Sequence, residues 1–312
     1  MAQIVGEILG EAAGETGGSI WRSYHTRDRI LLATGSILSY IAFWLMGKAF
    51  SIPQVPHFAA SLLGLPAPLL AIFLTLLTLV GSVVVATFIA RIVHFEAGLF
   101  CAAIGILALS IRGGPMRYVL MYASGPGIYA RLLSELLMLA VCIAIGWWVL
   151  MLLRDWGILH GEPLRDDDPD ALPGQGAMAL AATVILMIFL MLLLAQTDKK
   201  AQVIWSIVIS SCVATLASHS LFPSRPSIWF WTAPIIVGAI GYFVAWMGGQ
   251  ILVGGGVGGM LPQLARPLPL DYAGAGTAGS LLGYWTSRKW LHEREGEPHT
   301  TGEVEEALEQ QT

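Results

Sequence analysis

The chain has 312 residues, 55% of them hydrophobic and 12% charged, with a mean hydropathy of +0.69 and a formal net charge of −4. A soluble domain carries about 25% charged residues, so this composition excludes a disordered chain and an ordinary cytosolic enzyme, and the absence of a basic excess excludes a nucleic-acid partner. The apolar residues come in blocks of about 20, the length that crosses a hydrocarbon core. The expected fold class is all-α: a polytopic helical bundle whose partner is the lipid bilayer.

Residues 1–29 form a cytoplasmic segment in this reading. Ile4, Val5, Ile8, Leu9 and Ala12 recur at helical spacing beside Glu7 and Glu11, and glycines end the pattern at Gly14, Gly17 and Gly18. With no basic n-region and no apolar run there, the first span is expected to serve as the insertion signal.

Six stretches have spanning length: Ile30–Phe50, Ala67–Ala90, Leu132–Leu153, Gly176–Ala195, Ala201–Ser218 and Trp229–Met247. Only Gln196–Lys200 separates the fourth from the fifth, which predicts a tight antiparallel hairpin. The run Ala97–Ile111 is shorter, contains Gly98 and Gly105, and is flanked by Glu96 and Arg112. It is either a re-entrant element or an extra span. If it returns to its starting side, 13 Lys and Arg fall on the side of the termini and four (Lys48, Arg154, Arg165, Arg225) on the other. The positive-inside rule then gives six spans, with both termini cytoplasmic, in a plasma or inner membrane. Tryptophans near the span ends, such as Trp44, Trp147 and Trp229, suit an interfacial belt.

Residues 248–287 are rich in glycine. Gly255 with Gly259, and Gly279 with Gly283, have GxxxG spacing, which clears one helix face for close approach by another backbone. These four are the candidate helix-packing residues, and the segment is the expected route to a homo- or hetero-oligomer. Pro262, Pro267 and Pro269 interrupt it, which favours short stacked helices over a single span. Residues 288–312 read as an acidic polar tail.

Charge near the spans marks the candidate site, because ionisable groups in a membrane are costly and usually functional. A returning 97–111 run would bring Arg91, His94, Glu96, Arg112, Arg117 and Arg131 to one cytoplasmic mouth, an anion-attracting vestibule or a proton relay. Glu135 is read as lying in the first turn of its helix, one turn after Arg131, where the helix dipole favours an acid. With no acid–base pair at a span centre, any flux is expected to be uncoupled from protons. On the fifth span, Ser206, Ser210, Ser211, Thr215 and Ser218 make a polar line, suited to inter-helix hydrogen bonds or a pore lining.

Other motifs carry little. Asp166, Asp167 and Asp170 have the letters DDxxD, but this one cluster sits in a proline-rich loop and reads as solvated acid. Cys101, Cys142 and Cys212 are scattered inside apolar stretches and form neither a disulfide framework nor a zinc site. No nucleotide, hydrolase or metalloprotease signature occurs, and no cofactor or metal is expected. The leading expectation is a non-catalytic membrane component: an assembly, scaffold or accessory subunit. The alternative is a channel or permease for a small solute or anion, and an intramembrane enzyme comes third.

Overall fold

The structure is a computed structural model that describes residues 29–45, 77, 80–81, 83–91, 95–121, 127–156, 174–224, 226–248 and 262–295. The described residues are 89% helical and contain no strand. In chain order the helices are α1 (Arg29–Leu45), α2 (83–91), α3 (Phe95–Arg112), α4 (Met116–Met121), α5 (Gly127–Asp155), α6 (Gln175–Leu194), α7 (Lys200–Leu221), α8 (Ile228–Trp231), α9 (Ala233–Met247), α10 (Pro269–Asp271) and α11 (Thr277–Glu295). A π-helical turn, Tyr272–Gly276, joins α10 to α11.

Among the described residues, four helices are long and apolar enough to cross a membrane: Gly127–Asp155, Gln175–Leu194, Lys200–Leu221 and the joined α8–α9, Ile228–Met247. They match the last four spans expected from sequence. The first survives as the 17-residue α1, and most of the second lies outside the described residues. Large apolar side chains face outward at helical spacing, including Leu137, Val141 and Trp148 on α5 and Ile185, Phe189 and Leu193 on α6. Helices apolar all round suit a solvent that is itself apolar.

Contacts fix the direction of each helix. Ser110 meets Asp271 at one end of the bundle, and Glu96 meets Trp285 at the other. Thus α3 runs antiparallel to the α10–α11 helix along its whole length. Helix α7 runs parallel to α11, since Lys200 meets Asp271 and His219 meets Ser287. In α6, Gly176 sits against Trp229 and the C-cap Ala195 accepts from Arg266. Arg112 donates to the carbonyl of Trp44 at 3.0 Å and Ser39 to that of Cys101 at 2.6 Å, so α1 lies parallel to α3. Successive long helices therefore alternate between an Asp271 end and a Trp285 end.

Two expectations change here. The 97–111 run, left between a re-entrant element and an extra span, is the body of an unbroken 18-residue helix, Phe95–Arg112. At 1.5 Å per residue its ends stand roughly 25 Å apart. The glycine-rich segment is not all stacked short pieces: 269–295 is continuously helical, because Pro269 occupies its first turn, where no amide donor is needed. Its small face is used inside the chain. A Cβ on Gly279 would strike the Val208 carbonyl and the Ser211 side chain, and one on Gly283 the Cys212 carbonyl.

Candidate functional site: a buried charge cluster at one end of the bundle

Asp271 is 1% exposed and stands at the start of the last helix. Its carboxylate accepts from Lys200 Nζ at 2.7 and 2.9 Å, from the Leu268 backbone N–H at 2.8 Å and from the Ser110 hydroxyl. One acid therefore ties together α3, α7 and the entry to α10. The local sequence explains its place. An acid in the first turn complements the helix dipole and reaches back to the N–H of the capping residue. Lys200 opens α7 at the same level, and its partly exposed stem carries the ammonium inward.

The segment before α10 is fastened over this end. Tyr242 on α9 donates to the Pro267 carbonyl at 2.6 Å, and Tyr272 donates to that of Leu264 at 2.7 Å. The two rings meet edge to face, with centroids 6.3 Å apart. Arg266, also buried, donates to the Ala195 carbonyl at the end of α6.

A second carboxylate belongs to the cluster. Helix α5 begins at Gly127, five residues before the expected start, so Glu135 lies more than two turns inside it and is fully buried. The first-turn reading of Glu135 is thereby corrected. Glu135, Asp271 and Tyr129 all lie within electrostatic reach of Tyr242. A buried ion pair, a further buried acid and the buried phenols Tyr242 and Tyr272 thus lie at this end of apolar helices. Isolated charges are expensive there, so each must be paired or carry a function.

The Trp285 end holds a smaller polar group. Glu96, also buried, accepts from the Trp285 indole at 2.7 Å. His219 Nδ1 and Ser287 Oγ are 2.8 Å apart, and the imidazole packs edge-on against Phe230 and Tyr284. Between the two ends, α7 and α11 carry Ser210, Thr215, Thr277 and Ser280, whose buried hydroxyls have no hydrogen-bond partner in the protein. Of the serine line expected on this helix, Ser206 instead bonds back to the Gln202 carbonyl at 2.7 Å and Ser211 to that of Val208 at 3.2 Å.

The structure divides the expected vestibule. Arg112, Arg117, Arg131 and Glu135 share the Asp271 end, while Glu96 and Arg91 lie at the Trp285 end, because Ala90 packs beside Gly98. Arg117 and Arg131 are exposed, and Arg112 stacks over the Trp44 ring at 5.3 Å. His94, Gly255 and Gly259 lie outside the described residues. Among the described residues no group of three His, Cys, Asp or Glu is placed to hold a metal ion. No family model, curated protein or solved structure matches the chain.

Sequence reasoning missed Asp271, Lys200 and Ser110. The available signal was Asp271 itself, an acid directly before the 19-residue stretch YAGAGTAGSLLGYWTSRKW, which contains no other acid.

Proposed function

We propose that this chain is a multi-pass integral membrane permease for a small solute, with Glu135 and the Lys200–Asp271 pair as a proton- or ion-responsive gate. One observation carries the reading: Lys200 and Asp271 form an ion pair buried among apolar helices that joins α3, α7 and α10, and a further acid, Glu135, is fully buried on the adjoining α5. A buried ion pair contributes little net stability compared with apolar replacements, so its presence favours a role in which partners are exchanged. A proton or a cationic group reaching Asp271 would release Lys200 and loosen three helices at once. The expectation of proton-independent flux rested on span centres without an acid–base pair; this reading instead places the responsive groups at the Asp271 end of the bundle.

The helix directions support a bundle of alternating passes in which the 97–111 run and the last helix both cross. The 13-to-4 charge split then no longer applies. Among Lys and Arg with described side chains, five (Arg29, Arg91, Arg154, Arg288, Lys289) lie toward the Trp285 end and six (Arg112, Arg117, Arg131, Lys199, Lys200, Arg266) toward the other. Positive charge therefore leaves the orientation open. The accessory-subunit reading relied on the glycine face, and Gly279 and Gly283 are spent on α7.

Reconstituted vesicles with an entrapped pH dye test the proposal. Amino acids, monosaccharides and polyamines are added outside in turn. A solute that shifts lumenal pH with the wild type, and not with a Lys200→Met/Asp271→Leu double variant, is the expected result. Wild-type vesicles that behave like protein-free ones throughout, with a stoichiometric partner co-purifying in mild detergent, would transfer support to the accessory-subunit reading.

A further inference from the structure

The Lys200–Asp271 pair has unequal halves. Asp271 is the fixed one: its side chain is 1% exposed, and its carboxylate also accepts from the Leu268 backbone N–H at 2.8 Å and from the Ser110 hydroxyl. Lys200 is the movable one. Its ammonium ends an unbranched stem of about four carbons that starts at the first residue of α7, and its side chain is 15% exposed. Swinging that stem outward returns the ammonium to water, whereas Asp271 cannot leave without unwinding the start of the last helix. The pair therefore opens by departure of the cation.

What replaces it is set by what stays behind. A buried carboxylate stripped of its counter-charge is strongly unfavourable, so Lys200 leaves most readily when a second cation arrives, and an anion is repelled. The chain's own donors at this end are engaged: Tyr242 and Tyr272 donate to the carbonyls of Pro267 and Leu264, and Arg266 to that of Ala195. Geometry narrows the chemistry further. Lys200 Nζ lies 2.7 Å from one carboxylate oxygen and 2.9 Å from the other, so one group donates to both. A primary ammonium or a guanidinium has the N–H donors to repeat this, and a quaternary ammonium has none. Size is bounded too, because the space on offer is the one the Lys200 side chain leaves, enough for a chain of about four carbons.

We infer that the Asp271 carboxylate is the solute site of the proposed permease, and that the solute is a small organic cation with more than one N–H donor, a primary amine or a guanidine compound, which displaces the Lys200 ammonium. Binding of the solute leaves α3 and α10 joined through Ser110 and releases the start of α7. The role in transport rests on the permease reading; the displacement step does not, and it is tested separately.

Lysine acetylation of the full chain in nanodiscs reads the displacement. N-hydroxysuccinimidyl acetate is added at fixed pH with guanidinium chloride at millimolar levels, or with tetramethylammonium chloride at the same ionic strength, and exposed Lys199 serves as the internal standard. Guanidinium should raise acetylation of Lys200 relative to Lys199 saturably and roughly tenfold, as a released state of about 10% or less becomes the main one. Tetramethylammonium should leave it unchanged. In Lys200→Ala, n-propylammonium should raise the melting temperature where tetramethylammonium does not, and the shift should vanish in Lys200→Ala/Asp271→Leu. Lys200 acetylation that ignores guanidinium, or follows tetramethylammonium equally, overturns the inference, and it decides alone should Lys200→Ala misfold. A response to acid and not to guanidinium names the proton as the ligand, with the same result. Displacement without uptake of labelled guanidinium by wild-type proteoliposomes keeps the site and removes the permease; uptake of another solute with Lys200 undisturbed does the reverse.

Discussion

Lys200 and Asp271 are 71 residues apart in the chain, yet the ammonium lies 2.7 and 2.9 Å from the two carboxylate oxygens. The pair joins the first residue of α7 to the first turn of the last helix, and through Ser110 it also reaches the end of α3. Breaking one half should therefore differ from removing both. Lys200→Met leaves a buried carboxylate uncompensated and should lower stability by about 3–5 kcal/mol. The double variant Lys200→Met/Asp271→Leu should melt near the wild type in detergent and still lose transport. Equal melting of the wild type and both variants would show that the pair is not buried as described.

Close backbone packing makes a graded prediction for the glycines. Gly283→Ala drives a methyl into the Cys212 carbonyl, a backbone atom that cannot swing away, and should cost on the order of 1–3 kcal/mol. At Gly146 the nearest atom to an added Cβ is Val83 Cγ2, 3.8 Å away, an ordinary contact. Gly146→Ala should therefore be neutral or stabilise by up to about 1 kcal/mol through helix propensity. Thermal melting in one detergent compares the two. A common effect at both sites would mean that α7 and α11 are not in direct backbone contact.

The sequence disclosed the apolar helices from α5 onward because their apolar runs are uninterrupted and polar residues mark the breaks between them. It left α3 ambiguous for a specific reason. The apolar run 97–111 is short because Glu96 and Arg112, which flank it, are themselves the first and last turns of the helix, and it contains Gly98 and Gly105. Those glycines are contact points: a Cβ at Gly98 would strike the Ala86 carbonyl, and one at Gly105 the Ser39 hydroxyl and the Phe43 ring. Asp271 was hidden similarly, by prolines that read as interruptions although Pro269 begins the helix. Burial of Lys200 depends on a partner 71 residues away, which no local pattern encodes.

At the Trp285 end, the indole serves the buried carboxylate of Glu96 as donor at 2.7 Å and packs on Phe100 with ring centroids 5.2 Å apart. Trp285→Phe keeps the packing and removes the donor. The loss should be about 1–3 kcal/mol, the cost of leaving a buried acceptor under-satisfied. Glu96→Gln in the Trp285→Phe background should recover part of it, since a neutral amide is cheaper to bury than a carboxylate. Additive losses in the double-mutant cycle would mean that the two side chains do not interact.

The direction of α3 gives the last prediction, and it separates two topologies. Ala90 lies beside Gly98 at one end of the helix, and Arg112 is held by the Trp44 carbonyl at the other. If the bundle crosses a bilayer as its helix directions imply, cysteines at Arg91 and Gly114 should react with an impermeant maleimide from opposite faces of intact cells, in a background with the three native cysteines replaced. Thr197→Cys should report the same face as Gly114→Cys, because the α6–α7 turn lies at the Asp271 end with Lys200. Trp156→Cys, which follows the far end of α5, should report the face of Arg91→Cys. Labelling of positions 91 and 114 from one face would restore the returning 97–111 element, with six passes and the arginine-rich mouth that goes with it.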